Sequence, residues 1–495
     1  MNCSVFLYSL LSYCLLQYAV CPQKKLGGVV MKNQFTRRQL LTIGGAAASA
    51  AFLGPSLFNP DILLAASPIV RRDVGGMNAY DPILMSYQTA ITAMKALPNN
   101  NPLSWVYQAA IHGNTVLPPQ VAWNTCQHGN YFFWSWHRMY LYWFERIIRK
   151  MCGDPCWALP YWNWSSVTER QLPAPFRDAA SALYTSFRNP AMNSGAGSLP
   201  ASDVSYSSSF SQINFTTASS IIQGTPHGAV HVDVGGWMSS VPTAAQDPIF
   251  YLHHANCDRL WDLWLAQGGG RTDPLSDATW KNTQFTFFNE SGAQVKMTAC
   301  DILRAAEQLH YVYEGEPPQV NEYCLKIIPP IIFAQEVLFK VPIPPITLGP
   351  EPVSFPVELK QLRERLAPLA ESKTETLFLE LDDVEAERQP GAVWEVYFGL
   401  PPNTEPNAEG PYYLGNVVLF GEGIRNEAHK EFKPAHFAFP LNRALVAAMR
   451  SNEERVLVTF VPRGILIEGK PTRPKVESPV KIGSASLTVE RRKQE

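Results

Sequence analysis

The sequence predicts a mainly α-helical domain, an antiparallel helix bundle, followed by a small β-sandwich or barrel. Three observations predict it. Apolar residues recur at helical spacing in long runs between Tyr80 and Trp264. Histidines stand on those runs in sets that can face one another across a bundle. After about Phe355 the pattern changes to short β-rich runs divided by Pro, Gly and Asn clusters.

Taken in order, residues 1–66 read as an N-terminal extension and export signal. The apolar run SVFLYSLLSYCLLQYAVC is long enough for a signal core or an uncleaved anchor. A second start at Met31 is followed by TRRQLLTIGGAAASAAFLG, where Arg37 and Arg38 precede an alanine-rich apolar run. This looks like a twin-arginine signal, with cleavage near Ala66. The expectation is export to a bacterial periplasm or beyond, with no stable membrane insertion once the signal is gone.

Residues 67–315 read as the helical domain. Tyr80–Leu97 carries Ile83, Tyr87, Ile91 and Met94 on one face and ends at Pro98. Trp105–Ile111 leads into His112, and 129–150 is the most apolar run, closing on Arg149 and Lys150, favourable charges at a helix C-terminus. From about Glu169 to Gly224 the chain is poor in charge and rich in Ser, Ala and Pro, which predicts irregular loop with short helices near a pocket mouth. Asp247-Pro248 opens the last long helix, since proline at a first helical position gives up only an amide that lacks a partner anyway.

Residues 316–354 (IIPPIIF…VPIPPITLGPEPVSFP) are proline-dense and predict an extended linker. Residues 355–475 hold TLFLELDDV, AVWEVYFGL, GNVVLFGEG and VLVTFVPRG as strands, interrupted by one helix, LNRALVAAMR. Residues 476–495 read as a charged surface tail.

With 495 residues and a formal charge of −2, the chain can bury a large core and has no basic run of the kind that binds nucleic acid. Thirteen tryptophans, crowded between Trp105 and Trp164, serve a large aromatic core and can also wall an apolar pocket.

The chain has ten histidines, and seven fall in three segments. His227 and His231 (HGAVH) are four apart, as are His254 and Asp258, so each pair shares a helix face. His112, His128 and His137 form an earlier set. Structural zinc sites favour thiolates and two-metal hydrolases use bridging carboxylates. All-imidazole sites suit copper, which heads the divalent affinity series.

These segments, HGAVH then DPIFYLHHANCDRLW, preceded by His112, His128 and His137-Arg138, resemble the type 3 copper proteins: tyrosinases, catechol oxidases and, more distantly, haemocyanins. The likeness runs from about Tyr80 to Tyr313 and includes SWVYQAAIHG, ALPYWNW and VGGWM. It implies a dicopper site, with His112, His128 and His137 on the first copper and His227, His231 and His254 on the second. His253 matches the non-ligand member of the family's histidine pair. It also implies dioxygen as co-substrate, small phenols as substrates, oxidation of o-diphenols to o-quinones with weak monophenol hydroxylation, and a copper chaperone as partner. A haemocyanin-like oxygen carrier would share the ligands without turnover.

Cys126 lies two residues before His128, as in the fungal relatives that carry a thioether between that cysteine and that imidazole. Cys152 and Cys156 can bridge around a turn or stay free. Hydroxylating relatives hold a water with a glutamate four residues before the first histidine of the second site and an asparagine just after it. Here those activity-tuning positions are Gln223 and Gly228. VLVTFVPRG resembles the C-terminal domain of plant polyphenol oxidases, which covers the site of a latent precursor; a merely stabilising module is the other reading.

Overall fold

The computed structural model describes residues 68–115, 120–316, 333–360, 363–370, 372, 374–426, 432–450 and 454–492. The expected export signal, Cys324 and linker residues 317–332 lie outside them. By contacts the chain divides into Met1–Ile69 and Val70–Glu495, and everything that follows concerns the second unit. Among the described residues no helix is long and apolar enough to cross a membrane.

The helical half begins with α1 (Pro82–Lys95) and α2 (Trp105–His112). Asp81 accepts the amide of Ile83 ahead of α1, and Ser104 accepts that of Tyr107 ahead of α2, so each helix start is satisfied by its own flanking side chain. α3 (Phe133–Cys152) ends on Gly153 at φ 71°, a left-handed cap that favours glycine. α4 (Phe215–Ile222), capped by Asn214, runs through a widened turn, Gln223–Gly228, into α5 (Ala229–Val234). α6 (Ile249–Ala266) is the last long helix, and Asp247 accepts the amide of Ile249 at its start while pairing with the buried Arg188 at 2.7 Å. The stretch between α3 and α4 holds short helical turns, as its composition predicts, and one two-residue strand, Gly197–Ser198.

α3 and α6 are locked by a buried ionic cluster. Arg138 reaches Asp258 at 2.5 Å and Asp262 at 2.7 Å, Arg71 reaches Glu145 at 2.9 Å and Asp258 at 3.2 Å, and the hydroxyls of Tyr311 and Tyr313 each donate to Asp258 at 2.6 Å. A buried carboxylate is tolerable only with such saturation. Arg138 follows His137, and Asp258 lies one turn beyond His254, so the cluster fixes the two helices on which these histidines stand. Asp258 thus serves helix packing, and Asn256 accepts from Arg259 at 3.3 Å.

The β-rich half contains β1 (Phe333–Val341), β2 (Ile346–Leu348), β3 (Val353–Glu358), α7 (Arg363–Ala370), β4 (Glu375–Ala386), β5 (Val393–Phe398), β6 (Tyr413–Val417), β7 (Ala435–Pro440), α8 (Asn442–Arg450), β8 (Arg455–Arg463), β9 (Val480–Ile482) and β10 (Ser484–Arg492). One sheet has the order β6-β5-β8-β3 and the other β1-β10-β4-β9-β2, with β7 also on β4. A single apolar cluster draws Trp394, Phe398 and Phe460 from the first and Leu379, Leu487 and Val489 from the second, which makes the pair a sandwich.

Two expectations are corrected here. The described part of the expected tail, residues 476–492, is not a surface tail, because β10 runs between β1 and β4 with Leu487 and Val489 fully buried. Its other face is polar yet also covered: Thr488 donates to Glu380 at 2.9 Å, and Glu490 accepts from Asn214 and Thr217 at 2.8 and 3.0 Å. A polar face buried against a neighbour reads as solvent-facing in the sequence. Residues 316–354 likewise are not linker throughout, since β1, β2 and the start of β3 fall within them. Helix α7 also goes unforeseen, with Pro368 inside it.

Candidate metal centre

The six predicted histidines converge between α2, α3, α5 and α6, all of them at most 6% exposed. His112 ends α2, His137 lies in the second turn of α3, His227 closes the widened turn before α5, and His231 and His254 project from α5 and α6. His128 comes from the loop ahead of α3. In the first set, ring centroids lie 5.2 Å (His112–His128), 5.8 Å (His112–His137) and 5.4 Å (His128–His137) apart. In the second they lie 4.7 Å (His227–His231), 5.0 Å (His227–His254) and 5.4 Å (His231–His254) apart. The sets face each other directly, with His137 stacked on His254 at 4.3 Å.

Backbone carbonyls orient four of the rings. Nδ1 of His112, His137, His227 and His231 lies 3.1, 2.8, 2.9 and 2.7 Å from the carbonyls of Val241, Phe133, Gln223 and Met238. Each such contact places the proton on Nδ1 and leaves the Nε2 lone pair for a cation. Burial lowers the His227 imidazole to about 3, and burial, then repulsion from neighbouring imidazoles, holds His231 and His254 well below their ordinary range. Neutral imidazole is the metal-binding form. Nε2 of His227 is buried without a hydrogen-bond partner, and Nε2 of His231 and His254 face each other at 3.3 Å. The residues fit a pair of copper ions.

The geometry adds two donors to the expected sets. Cys126 lies in one donor cluster with His112 and His128, its sulfur 3.4 Å from Nδ1 of His128. His253 lies in another with His227, His231 and His254, its Nε2 4.0 Å from the Cys257 sulfur. Cys152 is a free thiol while Cys156 and Cys300 are disulfide-bonded, so the Cys152–Cys156 bridge does not form.

Gln223 and Gly228 stand beside the centre but are already engaged. The Gln223 amide is taken up by backbone groups. A Cβ on Gly228 would lie 3.1 Å from the Gln223 carbonyl and 3.4 Å from Val418.

Val418 belongs to a segment the sequence reading placed in a strand. β6 stops at Val417, and the next residues turn inward. Phe420 leaves the sandwich core and joins the core of the helical half. It stacks on His231 at 3.9 Å and meets His227 and His128 edge-on at 5.4 and 5.5 Å. Gly421, at φ 80°, passes so close that a Cβ would lie 2.8 Å from the His128 ring. The signal was present as an apolar residue followed by Gly421 and Gly423, but strand alternation hid it. Beside the plug a cleft with about 840 Å³ of empty space opens to solvent, lined on the helical side by Ser205, Ser208, Ser220, Ile221 and Thr225.

Comparison with known proteins agrees with this geometry. The common central domain of tyrosinase matches residues 102–215 and 170–267, and the polyphenol oxidase middle domain matches 274–322. Residues 102–322 are thus similar to the tyrosinases and polyphenol oxidases. A tyrosinase of Hahella sp. (strain CCB-MM4) is 35% identical over 288 residues, covering 47% of this chain and 61% of that protein. The latent polyphenol oxidase of Prunus armeniaca is 32% identical over 305 residues, covering 52% and 50%. The chain therefore spans about half to three-fifths of the length of these relatives. The solved structure of latent apple tyrosinase superposes with a TM-score of 0.60 at 24% identity, covering 86% of this chain and 97% of that one. That likeness extends the shared fold through the β-sandwich.

Proposed function

We propose that this chain is a copper-dependent phenol oxidase that turns o-diphenols into o-quinones, with His112, His128 and His137 holding one copper and His227, His231 and His254 the other. The observation that carries the reading is the convergence of six buried imidazoles in two facing sets. When bound, the copper pair supplies two-electron exchange between dioxygen and the diphenol. The chain's own part is to hold neutral imidazoles in fixed orientation and to exclude water with aromatic walls such as Phe133 and Phe250. Quinone formation from a catechol by copper-loaded protein tests the reading, and the same assay separates it from a haemocyanin-like carrier.

The balance of activities follows from Gln223 and Gly228. Neither offers a carboxylate to take the proton of a monophenol, so diphenol oxidation outpaces monophenol hydroxylation. The ratio of initial rates on a monophenol and its matching catechol reads this directly.

Phe420 occupies the space above His231 where a phenol ring would enter, so the intact chain is self-blocked. Two of the proteins with this fold were solved in forms named latent, an apple tyrosinase and an aurone synthase, which supports the same reading here. Export by the twin-arginine route rests on Arg37 and Arg38 before the apolar run. That route carries folded proteins and would let the metals load beforehand, a step for which a copper chaperone is the natural partner.

A further inference from the structure

Gln223 touches both halves of the metal centre. Its backbone carbonyl accepts from Nδ1 of His227 at 2.9 Å. Its side chain reaches the loop that carries His128: Oε1 accepts the amide of Gly129 at 2.7 Å, and Nε2 donates to the carbonyl of Asn130 at 3.1 Å. The second amide hydrogen goes to the carbonyl of Ser219 at 3.0 Å, which anchors the side chain to α4. Within that loop Asn130 donates to the carbonyl of His128 and to Gln127, both at 3.1 Å. The rings of His128 and His227, one from each set, stand 5.7 Å apart across this connection.

We infer that Gln223 is a positioning residue that fixes the separation of the two metal sites, by tying the His128 loop to the turn that bears His227, and not a group that takes a proton from a water. Both amide hydrogens are committed to backbone carbonyls, which leaves no donor for a water. A glutamate here would still accept from Gly129 but would set a carboxylate oxygen against the carbonyls of Asn130 and Ser219, two acceptors facing an acceptor. The change that looks conservative in sequence therefore loosens the centre in this chain. The inference rests on the dicopper reading and adds a residue that sets the spacing.

The test uses the intact chain loaded with two equivalents of Cu(II), as wild type, Gln223→Met, Gln223→Glu and Thr217→Val. Two Cu(II) ions near enough to share a bridging ligand pair their spins and give little EPR signal, and ions that drift apart recover it. Wild type and Thr217→Val, which loses only the bond to Glu490, are expected to bind two coppers and stay nearly silent. Both Gln223 variants are expected to become EPR-visible and to lose copper to a competing chelator about 10-fold more readily, the usual scale for a residue that orients a ligand. If Gln223→Met fails to fold, Gln223→Glu carries the same expectation. Gln223 variants that stay silent at wild-type copper affinity would overturn the brace while leaving the dicopper reading intact. Wild type that binds fewer than two coppers would overturn both.

Discussion

Phe420 lies nearly flat over the imidazole of His231, with ring centroids 3.9 Å apart and planes 15° from parallel. The contact joins the two halves of the chain at the metal centre itself. Around it the halves are held by polar contacts as well: Asn416 donates to Asp203 at 2.9 Å, Ser208 to the carbonyl of Leu414 at 3.2 Å, and Leu466–Ile467 pairs with Gly197–Ser198. The plug is thus one contact among several that hold the sandwich in place.

Replacing Phe420 with Ala should open the site without releasing the sandwich. If the closed form dominates, diphenol turnover by the intact chain should rise roughly 10-fold or more, as the binding-competent fraction rises. Steady-state rates on a small catechol, with gel filtration to confirm an intact chain, check this. Unchanged rates in a folded variant would mean that Phe420 does not limit access.

Cutting the chain between Glu316 and Phe333 should leave the sandwich whole, since β1 begins at Phe333. A nick alone is expected to activate little, because the contacts of Asp203, Glu490 and Gly197–Ser198 persist. Activity should rise only when the fragments are separated. Full activation by the nick, with both fragments still co-eluting, would contradict this.

The helical half was legible because its chemistry is written in spacing. His227 and His231, and the Asp-Pro start before His254, place donors on faces that periodicity alone predicts, and family resemblance sorted them into two sets. The outlines of α1, α2, α3 and α6 follow from the same patterns to within a few residues. What stayed hidden is polar or interrupted. Thr488 and Glu490 face a protein neighbour and look like surface residues, and Phe420 follows a strand pattern it does not obey. Gln223 was legible as a departure from the family but not as a brace, because its partners are backbone groups of a loop far off in sequence.

Asp258→Asn should destabilise the fold by about 3–5 kcal/mol, the cost of stranding buried charge, since Arg71 and Arg138 would face a neutral amide. Within the cluster Asp258 and Glu145 set an acid limit, while burial pushes the Asp262 carboxyl up to about 6, a contribution of opposite sign that acts above pH about 4. Burial alone would raise the carboxyls of Asp258 and Glu145, but Arg138 and Arg71 for the first, and Arg71 and Arg149 for the second, outweigh it and hold both below their ordinary value. The unfolded chain then binds the extra protons, so this stability is fully present above pH about 4 and drains as pH falls further. Thermal unfolding between pH 3 and pH 7 reads it (roughly the carboxylate range and above). A flat wild-type profile across the acid half would refute the assignment.

The Cys126 sulfur stands 3.4 Å from Nδ1 of His128, the imidazole joined to that cysteine by a thioether in fungal relatives. We expect that bond in protein that has turned over with copper and dioxygen, the oxidant that removes the two hydrogens. Peptide mapping after full reduction should give a cross-linked Cys126–His128 peptide lighter by two hydrogens. Recovery of the unmodified peptide from fully active protein would rule it out.

The most direct test combines metal analysis with turnover. Protein reconstituted with copper and freed of its sandwich should hold two coppers per chain and convert a catechol to its quinone, and His254→Ala should lose one copper and all turnover. One copper per chain in the wild type, a preference for zinc, or quinone formation that survives His254→Ala would contradict the account.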